Sequence, residues 1–257
     1  MAQAPAPAPA PTRRFSPGSP PTEASPVPAP SPAAPSPVGP RVAIVFDDAG
    51  GSLPDVEEII AIGRPVTVAV LPGLTHSSEV ARRAAAAGLE VILHLPIEPT
   101  DPNHALGPDG VTVAMDDAEI RATVRGALRS VPGAVGVSNH MGSRGTADRR
   151  VMRAVMAVIR DEGLFFVDSR TAAGSVGETV ARETGVRTAS RTVFLDNVDE
   201  EGAIRTEVQR LISLARARGG AIAIGHAQRL TPGVIAHMRE EFDRQGIRLV
   251  SLSALVH

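Results

Sequence analysis

Four residue types are absent from this chain of 257 residues: cysteine, tryptophan, tyrosine and lysine. Without cysteine the chain has no disulfide, no thiolate metal ligand and no cysteine nucleophile. The lack of tryptophan and tyrosine leaves few rings on which a sugar could stack, since these side chains supply large contact areas. That absence favours a small or charged substrate, or a role in binding rather than in catalysis.

Long apolar runs and an excess of positive charge are missing as well. No run approaches the ~20 apolar residues that a membrane-spanning helix needs, and the first residues lack the basic and apolar regions of a signal peptide. We therefore predict no membrane span in this chain. The formal net charge of -2 offers no basic footprint for nucleic acid. A hydrophobic content of 43% is ample for a large buried core.

The first 40 residues differ in composition from the rest. They consist mostly of proline, alanine and serine, with almost nothing to bury. Such composition is typical of a disordered or polyproline-like tether. We interpret residues 1–40 as a disordered tether, with a disordered tail of no mechanical role as the alternative. Residues 41–257 are predicted to form one domain.

From Arg41 onward short apolar runs alternate with longer segments of helical periodicity. This alternation is typical of an α/β fold with a mainly parallel sheet. The eight predicted strands are RVAIVF, PVTVAVL, EVILHL, AVGVSN, LFFVDS, TVFLDN, AIAIGH and IRLVSL. Seven predicted helices lie between them, several starting on a capping residue and ending on glycine. The pattern predicts a distorted or incomplete (β/α) barrel, with an open doubly wound sheet as the alternative.

Polar side chains end six of these eight strands. They are Asp47 and Asp48, His94, Asn139 and His140, Asp168, Asp196, and His226. Because the carboxyl ends of parallel strands meet at one edge, we expect these side chains to converge there. A helix cap is the alternative for Asp168 and Asp196, and a core histidine bonded to a backbone carbonyl is the alternative for each histidine. Four other histidines are interpreted as surface or packing residues: His76, His104, His237 and His257.

Two imidazoles and a carboxylate form a three-ligand site of the kind found in hydrolytic zinc centres. His94, His140 and either Asp47 or Asp48 could supply it, leaving the second aspartate as general base. His226 would then protonate the leaving group. Phosphoryl chemistry with Mg²⁺ is an alternative, but two histidines favour zinc or another transition metal, and no glycine-rich phosphate loop followed by lysine is present.

The loop NHMGSRGTADR supplies further candidates for binding a substrate. Gly142 permits a close approach of the backbone, while Ser143 and Arg144 could donate to a substrate oxygen or carboxylate. Arg170, in VDSRT, is a similar candidate. Both arginines could instead form structural ion pairs with neighbouring acids.

The motifs VAIVFDDAG, VPGAVGVSNHMGSRGTAD, GLFFVDSRT, VFLDN and AIAIGH together resemble the divergent polysaccharide deacetylase family, a branch of the carbohydrate deacetylase superfamily. The resemblance covers nearly all of residues 41–257. It implies a deformed (β/α) barrel that removes acetyl groups from a polysaccharide in or near the bacterial envelope or periplasm, using a divalent metal. It also implies that Asp47 is the base, Asp48 a metal ligand and His226 the general acid. Asn139 and Asp168, at the ends of their strands, are our own candidates for binding the substrate.

Two departures from the superfamily pattern concern the site. The usual His-x-x-x-His motif of the third strand is here His94-Leu-Pro-Ile-Glu98, so the second histidine is missing. Either Glu98 substitutes, or His140 completes the site, which is our expectation. The segment after His226 is GHAQ where the family pattern is GHP. A divergent member could also keep the fold and bind a glycan or a partner without hydrolysing it.

Overall fold

The computed structural model describes residues 39–107 and 109–257. The predicted tether, residues 1–40, therefore lies outside the described residues except for its last two. The carbonyl of Pro40 accepts a hydrogen bond from the amide of Arg248 at 3.0 Å. The chain is thus already attached to the folded domain at the residue before the first strand.

The described residues form a sheet of nine strands. The strands are β1 (Arg41–Ala49), β2 (Thr67–Val70), β3 (Glu90–Ile97), β4 (Gly136–Met141), β5 (Phe165–Asp168), β6 (Thr188–Ser190), β7 (Val193–Phe194), β8 (Gly220–His226) and β9 (Arg248–Leu249). Every pair of neighbouring strands is parallel. The order is β6-β5-β4-β3-β2-β1-β8-β7, and the short β9 pairs with the start of β1.

Seven α-helices connect these strands within the described residues. They are α1 (Leu53–Ala61), α2 (Ser77–Ala86), α3 (Asp117–Ser130), α4 (Arg149–Asp161), α5 (Gly177–Glu183), α6 (Glu201–Arg218) and α7 (Thr231–Arg244). Several of these helices begin or end at residues that are favoured as helix caps. Asp116 begins α3 in a reciprocal capping box with Glu119, and Asp148 caps α4. Gly219 ends α6 in the left-handed conformation that glycine adopts without strain.

The sheet curls into an incomplete barrel with the helices outside, as the sequence predicts. The prediction of eight strands was wrong by one: β6, in the segment RTAS, carries too few apolar residues to be recognised. The two faces of the sheet bury different clusters. Val42, Ile44 and Phe46 pack with the helices, whereas Ala43 and Val45 face an inner cluster. The carboxyl-terminal 3-10 turn, Leu252–Leu255, packs into that inner cluster.

This alternation continues to the carboxyl ends of the strands, because successive residues of a strand point to opposite faces. Inner positions on β3 and β8 are marked by Ile92 and by Ile222 and Ile224. His94 and His226 lie two residues beyond these markers and share their face. The inner face therefore turns from apolar to polar at the carboxyl edge of the sheet.

Candidate active site

Five side chains from four strands meet at this edge. They are Asp47 and Asp48 from β1, His94 from β3, His140 from β4 and His226 from β8. Asp48, His94 and His140 offer one ligand atom each, and these atoms all lie within 4.8 Å of one another. All five residues that the sequence predicts as metal ligands, base or acid are thus neighbours in the structure.

The adjacent acids share one site because the backbone turns between them. Asp47 follows Ala43 and Val45 on the inner face, so a regular strand would point Asp48 outward, towards the helices. Instead Asp48 has a φ of 61°, and the pairing of β1 with β2 is irregular between Phe46 and Ala49. Positive φ is uncommon outside glycine, although aspartate tolerates it better than most residues. Such strain costs roughly 1–3 kcal/mol and tends to cluster at functional sites.

Both carboxylates consequently reach the same imidazole. The Nε2 atom of His94 lies 3.4 Å from Oδ2 of Asp47 and 3.3 Å from Oδ1 of Asp48. The Nδ1 atom of His140 lies 2.8 Å from the same Oδ1 of Asp48. That oxygen is buried, yet none of the described residues gives it a hydrogen bond of acceptable geometry. Nitrogen and oxygen atoms that carry lone pairs and lie this close together, without hydrogen bonds between them, form a suitable site for a cation. A set of two imidazoles and one carboxylate suits zinc.

Ser138 holds His94 in this orientation. Its hydroxyl oxygen lies 2.8 Å from Nδ1 of His94, on the side of the ring that faces away from the cluster. With that nitrogen engaged, Nε2 is the atom left to face the two carboxylates. Metal-binding histidines usually have such a partner on the second ring nitrogen, because it fixes the tautomer and the ring plane.

Burial and neighbouring charges give the two acids opposite proton affinities. Burial, with the charges of Asp48 and Asp196, raises the pKa of Asp47 well above its ordinary value. Burial would also raise the pKa of Asp48, but contacts with His140 and His94 outweigh it and lower that pKa. Burial lowers the pKa of His94 to about 4, against the opposing pull of Asp48. His94 is therefore neutral at pH 7 and able to present a lone pair.

The surroundings of His226 have the opposite effect. Its Nδ1 atom lies 3.0 Å from Oδ1 of Asp196, while Oδ2 of Asp196 accepts from the backbone amide of His226 at 2.7 Å and from the hydroxyl of Thr231 at 2.6 Å. Burial would lower the pKa of His226, but the bond and charge of Asp196 outweigh it and raise the pKa. The ring also packs edge-on against Phe194. Its Nε2 atom points to the cluster, 3.8 Å from Oδ2 of Asp48.

Sequence reasoning missed two of these supporting residues and the role of a third. Ser138 carries no signal beyond its place two residues before His140, and Arg191 has none. Asp196 is a predicted strand-end residue, but the alternative of a helix cap is wrong: its Oδ2 accepts from the side-chain hydroxyl of Thr231, and neither α6 nor α7 begins with a side-chain cap. Arg191 is half-buried, donates to the carbonyls of Ser169 and Arg170, and its charge opposes the rise in the pKa of Asp47.

Two predicted substrate contacts, Asn139 and Asp168, lie on the outer face of the sheet and are buried. The side-chain Nδ2 of Asn139 donates to the carbonyl of Met141, and its Oδ1 accepts from the backbone amide of Ser169. The carboxylate of Asp168 accepts from the hydroxyl of Ser175 and from the amide of Glu178 in the first turn of α5. Both side chains hold loops beside the site, and a direct contact with substrate stays a prediction.

The other three predicted contacts lie on exposed loops. Ser143 accepts from the amide of Thr100 at 2.8 Å. Arg144 pairs with Glu98 at 2.7 Å, so the ion pair foreseen as an alternative is present and Glu98 lies outside the metal-ligand group. Arg170 is exposed and adopts a φ of 49°. Gly142 is needed in this loop, because a Cβ there would lie 2.6 Å from the Thr146 side chain.

In the part of the chain that the structure describes, no helix is long and apolar enough to cross a membrane. The sequence of residues 44–256 matches the family model described as divergent polysaccharide deacetylase. This chain belongs to that family. The match covers the whole sheet after the first three residues of β1, including every residue of the candidate site.

Proteins similar to this chain, in sequence or in fold, include two uncharacterized proteins and a deacetylase. An uncharacterized protein of Escherichia coli K12, YibQ, is 37% identical over 217 residues, covering 84% of this chain and 67% of its own. The crystal structure of an uncharacterized protein from Agrobacterium tumefaciens C58, ATU2773, has a TM-score of 0.81 and 27% identity, covering 88% of this chain and 92% of that one. The catalytic domain of a peptidoglycan N-acetylglucosamine deacetylase from Eubacterium rectale has a TM-score of 0.52 and 10% identity, covering 84% and 90%. That last similarity concerns the fold alone.

Proposed function

We propose that this protein is a metal-dependent hydrolase that removes acetyl groups from an envelope polysaccharide or a related glycan. The observation that carries the proposal is the convergence of Asp48, His94 and His140, whose ligand atoms lie within 4.8 Å of one another. Membership of the divergent deacetylase family supports the reaction class. The neighbouring Asp47 and His226 supply a second carboxylate and a third imidazole for moving protons.

Asp48, His94 and His140 would hold the metal, and zinc suits their donor set. A bound divalent cation would supply Lewis-acid polarisation of the substrate carbonyl and would acidify the attacking water. The protein contributes a lowered pKa at both Asp48 and His94, so that the first is anionic and the second neutral. These are the protonation states that metal ligands need.

Asp47 would accept the proton of the attacking water. Its Oδ1 atom is buried and has no hydrogen-bond partner among the described residues, so it is free to accept one. Its raised pKa makes the ionised carboxylate a stronger base than an exposed aspartate. The positive charge of Arg191 opposes that rise and favours the ionised form that the base must have.

His226 would donate a proton to the leaving nitrogen or oxygen. Asp196 occupies Nδ1, which leaves Nε2 facing the cluster as the proton-donating atom. The raised pKa keeps a larger fraction of the ring protonated near neutral pH. Base and acid come from adjacent strands, because Asp47 pairs directly with His226 in the register of β1 and β8.

Substrate positioning would fall to the exposed loops around this edge. Ser143, Arg144 and Arg170 would donate to sugar hydroxyls or to a charged group, while Asn139 and Asp168 would keep those loops in place. The partner we propose is a polysaccharide or oligosaccharide and not a nucleic acid. A location in the envelope or periplasm is proposed from the family, with the Pro-rich residues 1–40 as a tether.

The first test is the metal content of the purified full chain, measured by elemental mass spectrometry beside His140→Ala. We expect about one zinc-like ion per chain, absent from the variant because one of its three ligands is gone. Acetate release from acetylated envelope glycans, by the zinc-loaded protein and not by the variant, would establish that the protein is a metal-dependent deacetylase. A wild-type protein that stays free of metal when zinc is supplied would contradict the proposal.

A second candidate function is glycan or partner binding without hydrolysis. It is favoured by one observation, the absence of Trp and Tyr from a chain with only 2% aromatic residues, since polysaccharide clefts commonly stack sugars on such rings. Asp47→Asn separates the two functions. An enzyme would keep its metal and lose acetate release by roughly 10²–10⁴-fold, whereas a binding protein would keep its role in cells.

A further inference from the structure

A cavity of about 180 Å³ opens beside His140, one of the candidate metal ligands. It lies under the loops that follow β2 and β3, and His140 of β4 forms part of its wall together with Pro96 and Leu71. The same histidine therefore faces the metal-ligand group through Nδ1 and borders this cavity. A group that enters the cavity therefore lies against one of the candidate metal ligands.

Most of the cavity wall is aliphatic. Leu71, Pro72, Leu74 and Leu106 contribute to it, and Asp109 adds a carboxylate. Among residues 39–107 and 109–257, Leu74 is one of the few large apolar side chains that are exposed, at 42%. An exposed leucine beside an aliphatic cavity provides apolar area that a ligand could cover, which stabilises binding in proportion to the area removed from water.

The strand order shows which part of a substrate would enter. In the sequence β4-β3-β2-β1-β8, the proton donor His226 is on β8 and the cavity lies on the side of β2, β3 and β4. The leaving nitrogen or oxygen must lie near His226. The acyl carbon chain on the other side of the carbonyl is then directed away from β8, towards the cavity.

The cavity is larger than an acetyl group requires. An engineered apolar cavity of about 150 Å³ in another protein holds benzene, a molecule of six carbons, whereas the acyl chain of an acetyl group is a single methyl. We propose that the site prefers N- or O-acyl substrates whose chains have about four to six carbons, bound in this cavity. The inference rests on the proposed hydrolase function and specifies its substrate.

The reaction is a hydrolysis and balances without any further reagent. The bond between the acyl carbon and the leaving nitrogen or oxygen breaks, and a bond forms between that carbon and the oxygen of water. One proton of water passes through Asp47 and His226 to the leaving atom, giving a free amine or alcohol. The other product is the carboxylic acid, which ionises in solution.

The test compares N-acetyl-, N-butyryl- and N-hexanoylglucosamine as substrates of the zinc-loaded full chain, with release of free amine as the readout. Each buried methylene should raise kcat/KM by about fourfold. Leu106→Trp should fill the cavity and remove the preference for longer chains, so that the three substrates have similar kcat/KM. Equal rates for the three chain lengths in the wild type would overturn the proposal, as would a preference for longer chains that Leu106→Trp leaves intact.

Leu74→Ala and Leu230→Ala form a matched pair of milder variants. Both residues are exposed leucines, at 42% and 52%, but only Leu74 belongs to the wall of this cavity. Leu74→Ala should lower the ratio of hexanoyl to acetyl kcat/KM by about fivefold, through loss of apolar contact. Leu230→Ala should leave that ratio unchanged, and an equal effect of both would count against the cavity.

A binding measurement separates this proposal from the proposed reaction. Acetate and hexanoate, the acid products, are titrated into the same protein by NMR. If no substrate is hydrolysed but hexanoate binds at least tenfold more tightly than acetate, and Leu106→Trp removes that difference, the cavity assignment stands and the hydrolase function falls. If the two acids bind equally, the cavity assignment is wrong whether or not acetyl groups are released.

Discussion

The two halves of the candidate site use the same residue type for opposite purposes. On the side of β3, His94 is buried and its pKa falls to about 4. On the side of β8, His226 bonds Asp196 and its pKa is raised. A metal ligand must offer a lone pair, whereas a general acid must hold a proton. Burial and neighbours, not the imidazole itself, thus divide the site into a ligand half and an acid half.

The sharpest way to break this comparison is to remove one histidine from each half. His94→Ala should abolish stoichiometric metal binding and activity, because two ligands cannot hold the ion at the same affinity. His226→Ala should keep the metal and lose roughly 10²–10⁴-fold in kcat, the usual contribution of general acid catalysis. Metal content and acetate release, measured on both variants, check the two expectations.

Thermal unfolding of the same two variants is the control for folding. Both should unfold cooperatively, since neither ring is part of the apolar clusters on the two faces of the sheet. Stoichiometric zinc retained by His94→Ala would remove that residue from the ligand set. Loss of zinc from His226→Ala would mean that the two halves are not separate.

A smaller effect is expected at the partner of His94 in the ligand half. Ser138→Ala removes the oxygen 2.8 Å from Nδ1 and should weaken metal affinity by about 10–100-fold, because the ring loses its fixed orientation. Competition with a zinc chelator measures the change. Ser143→Ala is the matched control, since that hydroxyl accepts from the amide of Thr100 and has no hydrogen bond to a histidine among the described residues. Equal weakening in both variants would refute a specific role for Ser138.

The alternating pattern of the sequence contains more of this site than its strand ends alone reveal. The curled sheet, the seven helices and the five converging side chains were all predictable. Because side chains alternate between the two faces of a strand, the sequence also predicts which polar residues lie on the inner face. His94 and His226 share the inner face with Ile92 and Ile224, whereas Asp168 shares the outer face with Phe166. Inner residues form the site and outer ones support loops.

Other features could not be read from the sequence. By its position in the strand, Asp48 should point to the outer face. It reaches the site only because its backbone is left-handed, a conformation that the spacing of apolar residues does not predict. Arg191 approaches Asp47 from the connection between β6 and β7, and β6 itself was not recognised. Both depend on tertiary arrangement: an irregular pairing in the first case and an inconspicuous edge strand in the second.

The smallest predicted effect is a change in pH dependence in the acid half. The charge of Asp196 raises the pKa of His226, so protonated His226 persists to higher pH than an unperturbed histidine with a pKa of about 6.5. Asp196→Asn removes that charge. The pKa of His226 should then fall, and the alkaline limb of the kcat profile should move to lower pH, while metal content stays the same.

Asp199→Asn, in the same loop, is the matched control for this shift. Asp199 contacts Arg229 and the amide of Leu230 but not His226. The alkaline limb of the kcat profile of Asp199→Asn should therefore coincide with that of the wild type. If the alkaline limb of the kcat profile does not move in Asp196→Asn, that limb reports the titration of another group, and His226 is not the acid that it reflects. A downward shift without loss of metal would show that proton affinity in one half can be changed without disturbing the ligands in the other.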